Sequence, residues 1–182
     1  MRVIAGTCRS LPLITPQGEG TRPTTDRIKE TLFNMIQGEI SDCIFYDFYA
    51  GSGGIGIEAL SRGAKHAYFV ENQKAALECI KKNLSFTKLS DKATVISRDV
   101  LSAIPFLNEK ADIIFMAPPY ELGNETTVCQ ILKQSGCLKD DTLIIIEAVK
   151  DRDFSDITSL GFTIIKEKIY KSNKHVFITP AD

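Results

Sequence analysis

A glycine-rich segment lies where a predicted strand meets a predicted helix. Gly51, Gly53 and Gly56 have the spacing G-x-G-x-x-G at this position. Glycines in this context let the backbone pass close to a bound nucleotide. A tight turn without a ligand has the same composition, so the spacing by itself is a weak signal. The segment predicts a nucleotide-like ligand without identifying it.

Acidic residues accompany the ends of three consecutive predicted strands. Asp47 lies just before the glycines, Glu71 ends the next strand, and Asp99 follows the third. Because the carboxyl ends of parallel strands open onto one crevice, we expect these residues to line the same cleft. A carboxylate at Glu71 can accept both hydroxyls of a ribose, and Asp99 can reach an adenine edge. Each acid alone is more often a cap or a solvated side chain, but together they favour a nucleoside site.

The fourth predicted strand runs into a turn with the sequence Ala117-Pro118-Pro119-Tyr120. Some enzymes use such a turn to hold a planar amine, because the prolines stiffen the backbone and remove competing donors. The lone pair of an exocyclic amine is delocalised into its ring, so hydrogen-bond acceptors must hold the amine hydrogens. Tyr120 can stack on the base, an interaction worth roughly 1–3 kcal/mol.

Ala117 stands where an acidic or amide side chain is expected, which leaves the carbonyls of Ala117 and Pro118 as acceptors. Loss of a proton acceptor would lower the rate by roughly 10²–10⁴, and loss of an orienting group by less. We therefore predict a slow rate of group transfer to the amine nitrogen. Glu121 is a candidate substitute acceptor, although a solvated carboxylate is the simpler interpretation. Glu147, at the end of the fifth strand, can contact substrate or cap the strand.

Strands and helices alternate along the chain, as in an α/β domain with a mostly parallel sheet. The predicted strands span residues 44–49, 67–70, 93–97, 113–116 and 142–147, followed by an antiparallel hairpin at 162–170 and 175–179. The predicted helices span 25–37, 54–62, 72–84, 100–107 and 124–134, with Thr24 or Thr25 capping the first and Asn72 the third. We expect residues 1–23 to form a basic N-terminal arm and mobile loop, and residues 24–182 a single domain.

The composition of the 182 residues, with 43% hydrophobic and 25% charged side chains, fits one globular domain. No apolar run reaches the roughly 18 residues of a membrane helix, and the first residues lack a signal-peptide core. We therefore predict a soluble, cytoplasmic protein without membrane contact. Five scattered cysteines without a Cys-x-x-Cys pair predict buried thiols rather than disulfides or a zinc site. His66 and His175 have no metal-ligand spacing, so we expect no metal.

The first 29 residues carry five basic and two acidic side chains, although the whole chain has a net charge of −1. A basic end on an otherwise acidic domain suggests contact with an anion. Chance clustering of solvated arginines explains the same pattern equally well.

The residues leave the nucleoside ligand open between a dinucleotide and S-adenosylmethionine. A dinucleotide-dependent dehydrogenase would also use the glycine spacing and Glu71, but it normally needs a second domain for its substrate. S-adenosylmethionine is smaller, and its cationic amine and sulfonium suit Asp47 and an acidic pocket. The residues therefore favour S-adenosylmethionine.

Three segments carry a family resemblance: residues 22–34 (RPTTDRIKETLFN), 47–64 (DFYAGSGGIGIEALSRGA) and 117–120 (APPY). They resemble the bacterial 16S ribosomal RNA guanine-N2 methyltransferases of the guanine 966 type, in order and spacing over essentially the whole chain. The first segment is specific to that group, and the second marks class I methyltransferases more broadly. The resemblance implies a seven-stranded Rossmann-like sheet closed by an antiparallel hairpin. It also implies S-adenosylmethionine as donor and a guanine of the small subunit, or of an assembly intermediate, as acceptor.

The resemblance implies roles for individual residues as well. Those implied to bind the cofactor are Asp47, Ala50, Gly51, Ser52, Gly53, Glu71, Asn72, Asp99 and Val100. Those implied to carry the transfer are Ala117, Pro118, Pro119 and Tyr120. Those implied to face RNA are Arg2, Arg9, Arg22, Thr24 and Arg27, of which Thr24 equally suits a helix cap.

Two other functions compete with a ribosomal RNA methyltransferase. Ala117 motivates a catalytically weak protein that binds cofactor and RNA during ribosome assembly. The glycine spacing motivates a small dinucleotide-binding protein. We expect a monomer in each case.

Overall fold

Seven strands form one central sheet. The computed structural model describes residues 1–16 and 25–181. The sheet order is β3-β2-β1-β4-β5-β7-β6, in which β1 to β5 are parallel and β7 is antiparallel to both its neighbours. The strands are β1 Ile44–Phe48, β2 His66–Glu71, β3 Ala93–Ser97, β4 Ile113–Met116, β5 Leu143–Val149, β6 Phe162–Ile169 and β7 Asn173–Pro180. This arrangement confirms the predicted fold class.

Helices cover both faces of the sheet. They are α1 Asp26–Met35, α2 Gly54–Ser61, α3 Lys74–Thr87, α4 Val100–Ala103, α5 Glu125–Lys133 and α6 Ser155–Ser159. Buried side chains of α1, α2 and α3 share one core with residues of the N-terminal arm, and those of α4, α5 and α6 share the other. Within the described ranges, no helix combines the length and apolar character needed to cross a bilayer.

Three helices differ from the sequence-based prediction. Helix α3 starts at Lys74 after the cap residue Gln73, and it runs to Thr87. Asn72 is therefore not the cap, and its backbone N–H donates to the Glu71 carboxylate together with that of Gln73. Helix α4 stops at Ala103 and continues as a 3-10 turn, since a proline at position 105 lacks the N–H that a longer helix needs. Helix α6 has five residues, too few to give a periodic pattern.

The N-terminal arm doubles back on itself. Val3 N–H donates to the Leu11 carbonyl, and Leu13 N–H donates to the Met1 carbonyl, both at 3.0 Å. The arm therefore contains a short antiparallel pairing between its two halves. Most of the predicted mobile loop, together with Arg22 and Thr24, lies at residues 17–24, outside the described part of the chain.

All five cysteines are buried and have free thiols, as predicted. Burial raises the pKa of Cys43 and of Cys129 to about 12. Since the thiolate is the reactive form, these two side chains serve as small apolar core residues.

A buried carboxylate joins the arm to two helices. Glu58 of α2 is fully buried and accepts the backbone N–H groups of Ile4 at 2.8 Å and Ala5 at 3.0 Å. It also pairs with Lys29 Nζ of α1 at 3.3 Å and with Arg62 Nε at 2.8 Å. Burial lowers the pKa of Lys29, and the neighbouring Glu58 carboxylate opposes that shift. The arm therefore depends on Glu58 for its position.

We predict that Glu58→Gln lowers the free energy of unfolding by about 3–5 kcal/mol, because it leaves the buried Lys29 without its counter-charge. Urea unfolding at pH 7 measures the change. The exposed carboxylate of Glu39 provides the matched control, and Glu39→Gln should stay within about 0.5 kcal/mol of the wild type. Equal stability of the two variants would contradict the anchoring role.

Candidate functional site

The glycine loop turns sharply between β1 and α2. Gly51 and Gly53 have φ angles of +55° and +79°, in the left-handed region that glycine adopts without strain. A Cβ at Gly51 would meet no atom within 4 Å, whereas a Cβ at Gly56 would lie 2.4 Å from the Phe69 ring. Gly56 thus lets α2 pack on β2. Gly51 leaves backbone exposed to an incoming ligand.

Glu71 fastens this loop to the end of β2. Its Oε2 accepts the Gly51 N–H, and its Oε1 accepts the N–H groups of Asn72 and Gln73, each at 2.8 Å. Each carboxylate oxygen has two acceptor sites, so Oε2 retains a lone pair for a further donor. The contacts hold Glu71 in one orientation beside the glycine loop, which suits a group that binds hydroxyls.

A small cleft opens beside Glu71 at the ends of β1, β2 and β3. Its lining residues are Tyr49, Val70, Glu71, Asn72, Arg98, Asp99 and Val100. Asp99 caps α4 by accepting the Leu101 N–H at 2.9 Å. The same residue lines the cleft, so it is both a helix cap and a cleft residue. The structure thus brings Glu71, Asn72, Asp99 and Val100 together.

Two cleft residues were missed by the sequence reasoning. Tyr49 has a φ of +59°. Its side chain is half-buried, and burial raises the pKa of its hydroxyl. The Arg98 guanidinium lies 5.0 Å from the centroid of the exposed Phe106 ring. Tyr49 precedes Ala50 and Arg98 precedes Asp99 in the chain. Both could have been predicted from these neighbours, because residues next to a strand end line the same crevice.

Asp47 lies beneath the glycine loop rather than on its surface. The residue is 1% exposed, and its Oδ2 accepts the Gly56 N–H at 2.8 Å. Burial raises the pKa of this carboxyl to about 8, the Gly56 hydrogen bond opposes the shift, and the Glu71 charge adds to it. Asp47 therefore braces the loop, and an approaching cation would favour its ionised form.

The turn at Ala117 lies beside the end of β1. Ala117 N–H approaches the Phe48 carbonyl at 3.5 Å, and the ring of Tyr120 is 44% exposed. The Tyr120 hydroxyl donates to Glu147 Oε1 at 3.2 Å, which holds the ring near the turn. Nearly half of the Tyr120 surface is thus accessible to solvent.

Glu147 and His175 form a pair next to this turn. The two residues face each other in the register of β5 and β7, and Glu147 Oε2 lies 3.2 Å from His175 Nε2. His175 is fully buried, as expected for a structural histidine. Sequence reasoning placed Glu147 at the cleft edge but gave no signal for its partner, which lies 28 residues away.

Three arginines of the arm and α1, Arg2, Arg9 and Arg27, are exposed, whereas Lys29 of α1 is buried against Glu58. Arg2 Nε pairs with Asp26 at 2.8 Å, while Arg9 and Arg27 lie on the surface. Thr25 is the cap of α1, and its Oγ1 accepts the Ile28 N–H at 3.3 Å. The arm thus presents positive charge near the start of α1.

Comparison with known proteins identifies relatives along nearly the whole chain. The sequence profile of the family described as conserved hypothetical protein 95 matches residues 1–179. Ribosomal RNA small subunit methyltransferase D of Haemophilus influenzae is 38% identical over 174 residues, covering 92% of this chain and 88% of that protein. The Escherichia coli protein of the same name is 33% identical over 169 residues, covering 93% and 84%.

A solved structure has the same fold over the full length. The Escherichia coli protein yhhF, described as a candidate methyltransferase, superposes with a TM-score of 0.86 at 31% identity. The match covers 100% of this chain and 98% of the other.

The raised pKa of Asp47 predicts a specific pH dependence of stability. Its ordinary pKa is 3.8 and its folded pKa about 8, so between these values the folded chain holds a proton that the unfolded chain releases. The stability that the folded chain gains by holding this proton is fully present below pH 4 and is lost as the pH rises to 8. Asp47→Asn keeps an oxygen for the Gly56 N–H but removes the titration.

Urea unfolding at pH 5 and pH 8 should therefore show a smaller fall in stability for Asp47→Asn than for the wild type. Asp91→Asn, at an exposed aspartate, is the matched control and should retain the wild-type difference. An Asp47→Asn variant with the wild-type pH dependence would refute the buried, protonated carboxyl.

Proposed function

This chain belongs to the family described as conserved hypothetical protein 95, and from that premise we propose that it is a ribosomal RNA methyltransferase that uses S-adenosylmethionine. Its acceptor is the exocyclic N2 amine of a guanine in 16S ribosomal RNA, of the guanine 966 type. The substrate is the small subunit or an assembly intermediate in the cytoplasm, and the protein acts as a monomer.

The observation that carries this proposal is the meeting of neighbouring strand ends at one edge of the sheet. The glycine loop follows β1, Glu71 ends β2, Asp99 follows β3 and the turn from Ala117 follows β4. Parallel pairing of β3, β2, β1 and β4 sets these groups side by side. A nucleoside-binding cleft and an amine-binding turn thereby share one edge, as transfer between a nucleoside cofactor and a base requires.

The residues at this edge fit S-adenosylmethionine. Glu71 Oε2 retains a lone pair for a ribose hydroxyl, and Asp99 with the Val100 backbone lies on the adenine side of the cleft. The exposed backbone at Gly51 leaves room for the methionine part, near Ala50, Ser52, Gly53 and the buried Asp47. When bound, the cofactor supplies a methyl group on a cationic sulfonium, which an acidic surrounding favours.

The turn positions the acceptor base. The Tyr120 ring stacks on the guanine, worth roughly 1–3 kcal/mol. The carbonyls of Ala117 and Pro118 accept hydrogen bonds from the amine, and Pro119 keeps the turn stiff. Since Ala117 supplies no side-chain acceptor, the turn itself holds the amine through backbone carbonyls alone, and transfer is slower than in a variant with a carboxylate at position 117.

The basic arm binds the RNA backbone. Arg2, Arg9 and Arg27 supply positive charge for contact with phosphates. We assign Arg22 and Thr24, which precede Arg27 in the sequence, to the same RNA contact. Arginine contacts to phosphate provide affinity that falls with salt, while the flipped base is recognised in the pocket.

A second function is favoured by Ala117 alone: binding of cofactor and RNA during ribosome assembly without efficient catalysis. The two functions differ in the methyl transfer rate relative to a variant that carries a carboxylate at position 117.

The cofactor assignment predicts a selective thermal shift. S-adenosylhomocysteine at about 100 times its Kd should stabilise the fold by about 2.7 kcal/mol, whereas NAD should leave the melting temperature unchanged. Glu71→Gln should reduce the shift, because its amide nitrogen cannot accept ribose hydroxyls. Glu78→Gln, on the exposed side of α3, is the control and should respond like the wild type. Stabilisation by NAD instead would identify a dinucleotide-binding protein.

The substrate assignment predicts transfer of labelled methyl from S-adenosylmethionine to small subunits that lack the modification. The wild type should transfer slowly and Ala117→Asp faster. The gain should stay below roughly 10²-fold if aspartate only orients the amine, and reach roughly 10²–10⁴ if it takes the proton. Subunits already carrying the modification are the control. Failure of both proteins to label the unmodified subunits would contradict the proposed function.

A further inference from the structure

Ala117 and Glu147 lie side by side at the catalytic edge. The last paired residues of β4 and β5 are Met116 and Ile146, so the next positions along these parallel strands are 117 and 147. Neighbouring strands lie about 4.8 Å apart, and alternate side chains point to the same face. Phe115 and Ile145 share one core cluster, against which Ala117 also packs. Positions 117 and 147 therefore face that same side.

The same face carries Asp47. Its register partner on β4 is Phe115, two residues before Ala117. Glu147 pairs on its other side with His175 of β7. Ala117, Glu147 and His175 thus form a row of side chains across β4, β5 and β7, with the small Ala117 next to the Glu147 carboxylate.

The contacts of Glu147 fix its carboxylate without closing it off. Oε1 accepts the Tyr120 hydroxyl and Oε2 lies against His175 Nε2, both at 3.2 Å. The Tyr170 hydroxyl lies 3.4 Å from Nδ1 on the other side of the His175 ring. Asn173 adds a further hydrogen bond to the Glu147 carboxylate, and the Glu147 side chain remains 12% exposed.

From this geometry we propose that Glu147 is a catalytic residue: its carboxylate holds the guanine N2 amine and takes its proton, replacing the side chain that Ala117 lacks. This inference rests on the proposed function and names the acceptor within that site. His175 acts as a positioning residue, and Tyr120 links the carboxylate to the stacked base.

The chemistry of the amine requires such a group. As the N2 lone pair forms the new N–C bond, the S–C bond breaks and its electron pair stays on sulfur. The methylated nitrogen then carries a positive charge and one proton in excess. That proton passes to Glu147, which leaves a neutral secondary amine and a neutral carboxylic acid that returns its proton to water.

The surroundings keep Glu147 ionised for this step. Burial raises its pKa, but hydrogen bonds and charge from His175, together with those from Tyr120 and Asn173, bring it below the ordinary value. A weakly basic carboxylate suffices, because a protonated amine attached to guanine is a strong acid. Ala117 carries no charge, so position 117 contributes no like charge that would raise the pKa of Glu147.

A purely structural role is the competing explanation, in which the Glu147–His175 pair only secures β7 against β5. Such a pair would affect folding, and a carboxylate supplied at position 117 could not restore activity after its loss. The two explanations therefore separate in a rescue experiment.

The experiment measures single-turnover methyl transfer to unmodified small subunits by the wild type, Glu147→Gln, Ala117→Asp and the double variant. We expect Glu147→Gln to lower the transfer rate by roughly 10²–10⁴ with KM little changed. Ala117→Asp should raise the wild-type rate by less than roughly 10²-fold, since it adds orientation alone. The double variant should exceed Glu147→Gln by at least tenfold more than Ala117→Asp exceeds the wild type, because only in the double variant does the new carboxylate replace a missing proton acceptor.

Two further measurements separate catalysis from folding. The thermal shift with S-adenosylhomocysteine should be the same in Glu147→Gln and the wild type. Glu121→Gln, at the exposed carboxylate of the same turn, distinguishes the two candidate acceptors and should retain the wild-type rate.

Several outcomes would overturn the inference: full activity of Glu147→Gln, the loss appearing in Glu121→Gln instead, or no recovery in the double variant. Should Glu147→Gln fail to fold, an Ala117→Asp gain above 10²-fold would show that the wild type lacks a proton acceptor. A silent wild type with an active Ala117→Asp leaves the proposed function standing and removes Glu147 from it. If neither protein is active, the proposed function itself fails.

Discussion

The parallel pairing of β1 with both β2 and β4 is the constraint on which the site depends. It brings the glycine loop, Glu71 and the turn at Ala117 to the same edge of the sheet. Backbone hydrogen bonds fix this register, and a shift of one residue would turn every side chain to the opposite face. The site thus consists of the ends of strands whose bodies are buried and rigid, which suits groups that must be held to within a fraction of an ångström.

The buried carboxylates in this protein serve different ends according to their partners. Glu58 has two cationic partners and two backbone donors, so it is a structural anchor for the arm. Asp47 accepts one backbone N–H, and none of the described cationic side chains counters its burial, so the carboxyl holds its proton at neutral pH. Glu147 has a histidine and a tyrosine as partners and keeps some exposure, so it remains charged and accessible. Partner chemistry, rather than burial alone, decides which of these groups can take part in a reaction.

Much of the fold could be predicted because the interior strands are continuous apolar runs between strong breakers. Strands β3 and β4 were predicted with the observed bounds of 93–97 and 113–116. The short α6 was missed because five residues carry no periodicity. Helix α3 was started two residues early because asparagine is a frequent cap residue, whereas the N–H groups of Asn72 and Gln73 donate to Glu71 ahead of the helix.

Some residues of the candidate site could also be predicted from the sequence, and others could not. Residues that follow a strand end, such as Glu71 and Asp99, were predicted from position alone. The partnership of Glu147 with His175 was not, since it depends on the antiparallel return of β7 and joins residues far apart in the chain. Long-range pairing is set by the whole sheet, and local sequence carries little trace of it.

The central claim is that this edge of the sheet transfers a methyl group to the exocyclic amine of a guanine. Digestion of small-subunit RNA to nucleosides after reaction with labelled S-adenosylmethionine, followed by chromatography, tests it most directly. We expect the label to migrate with N2-methylguanosine. Label in any other nucleoside would contradict it, because the geometry of the turn and its acceptors would then serve a different atom.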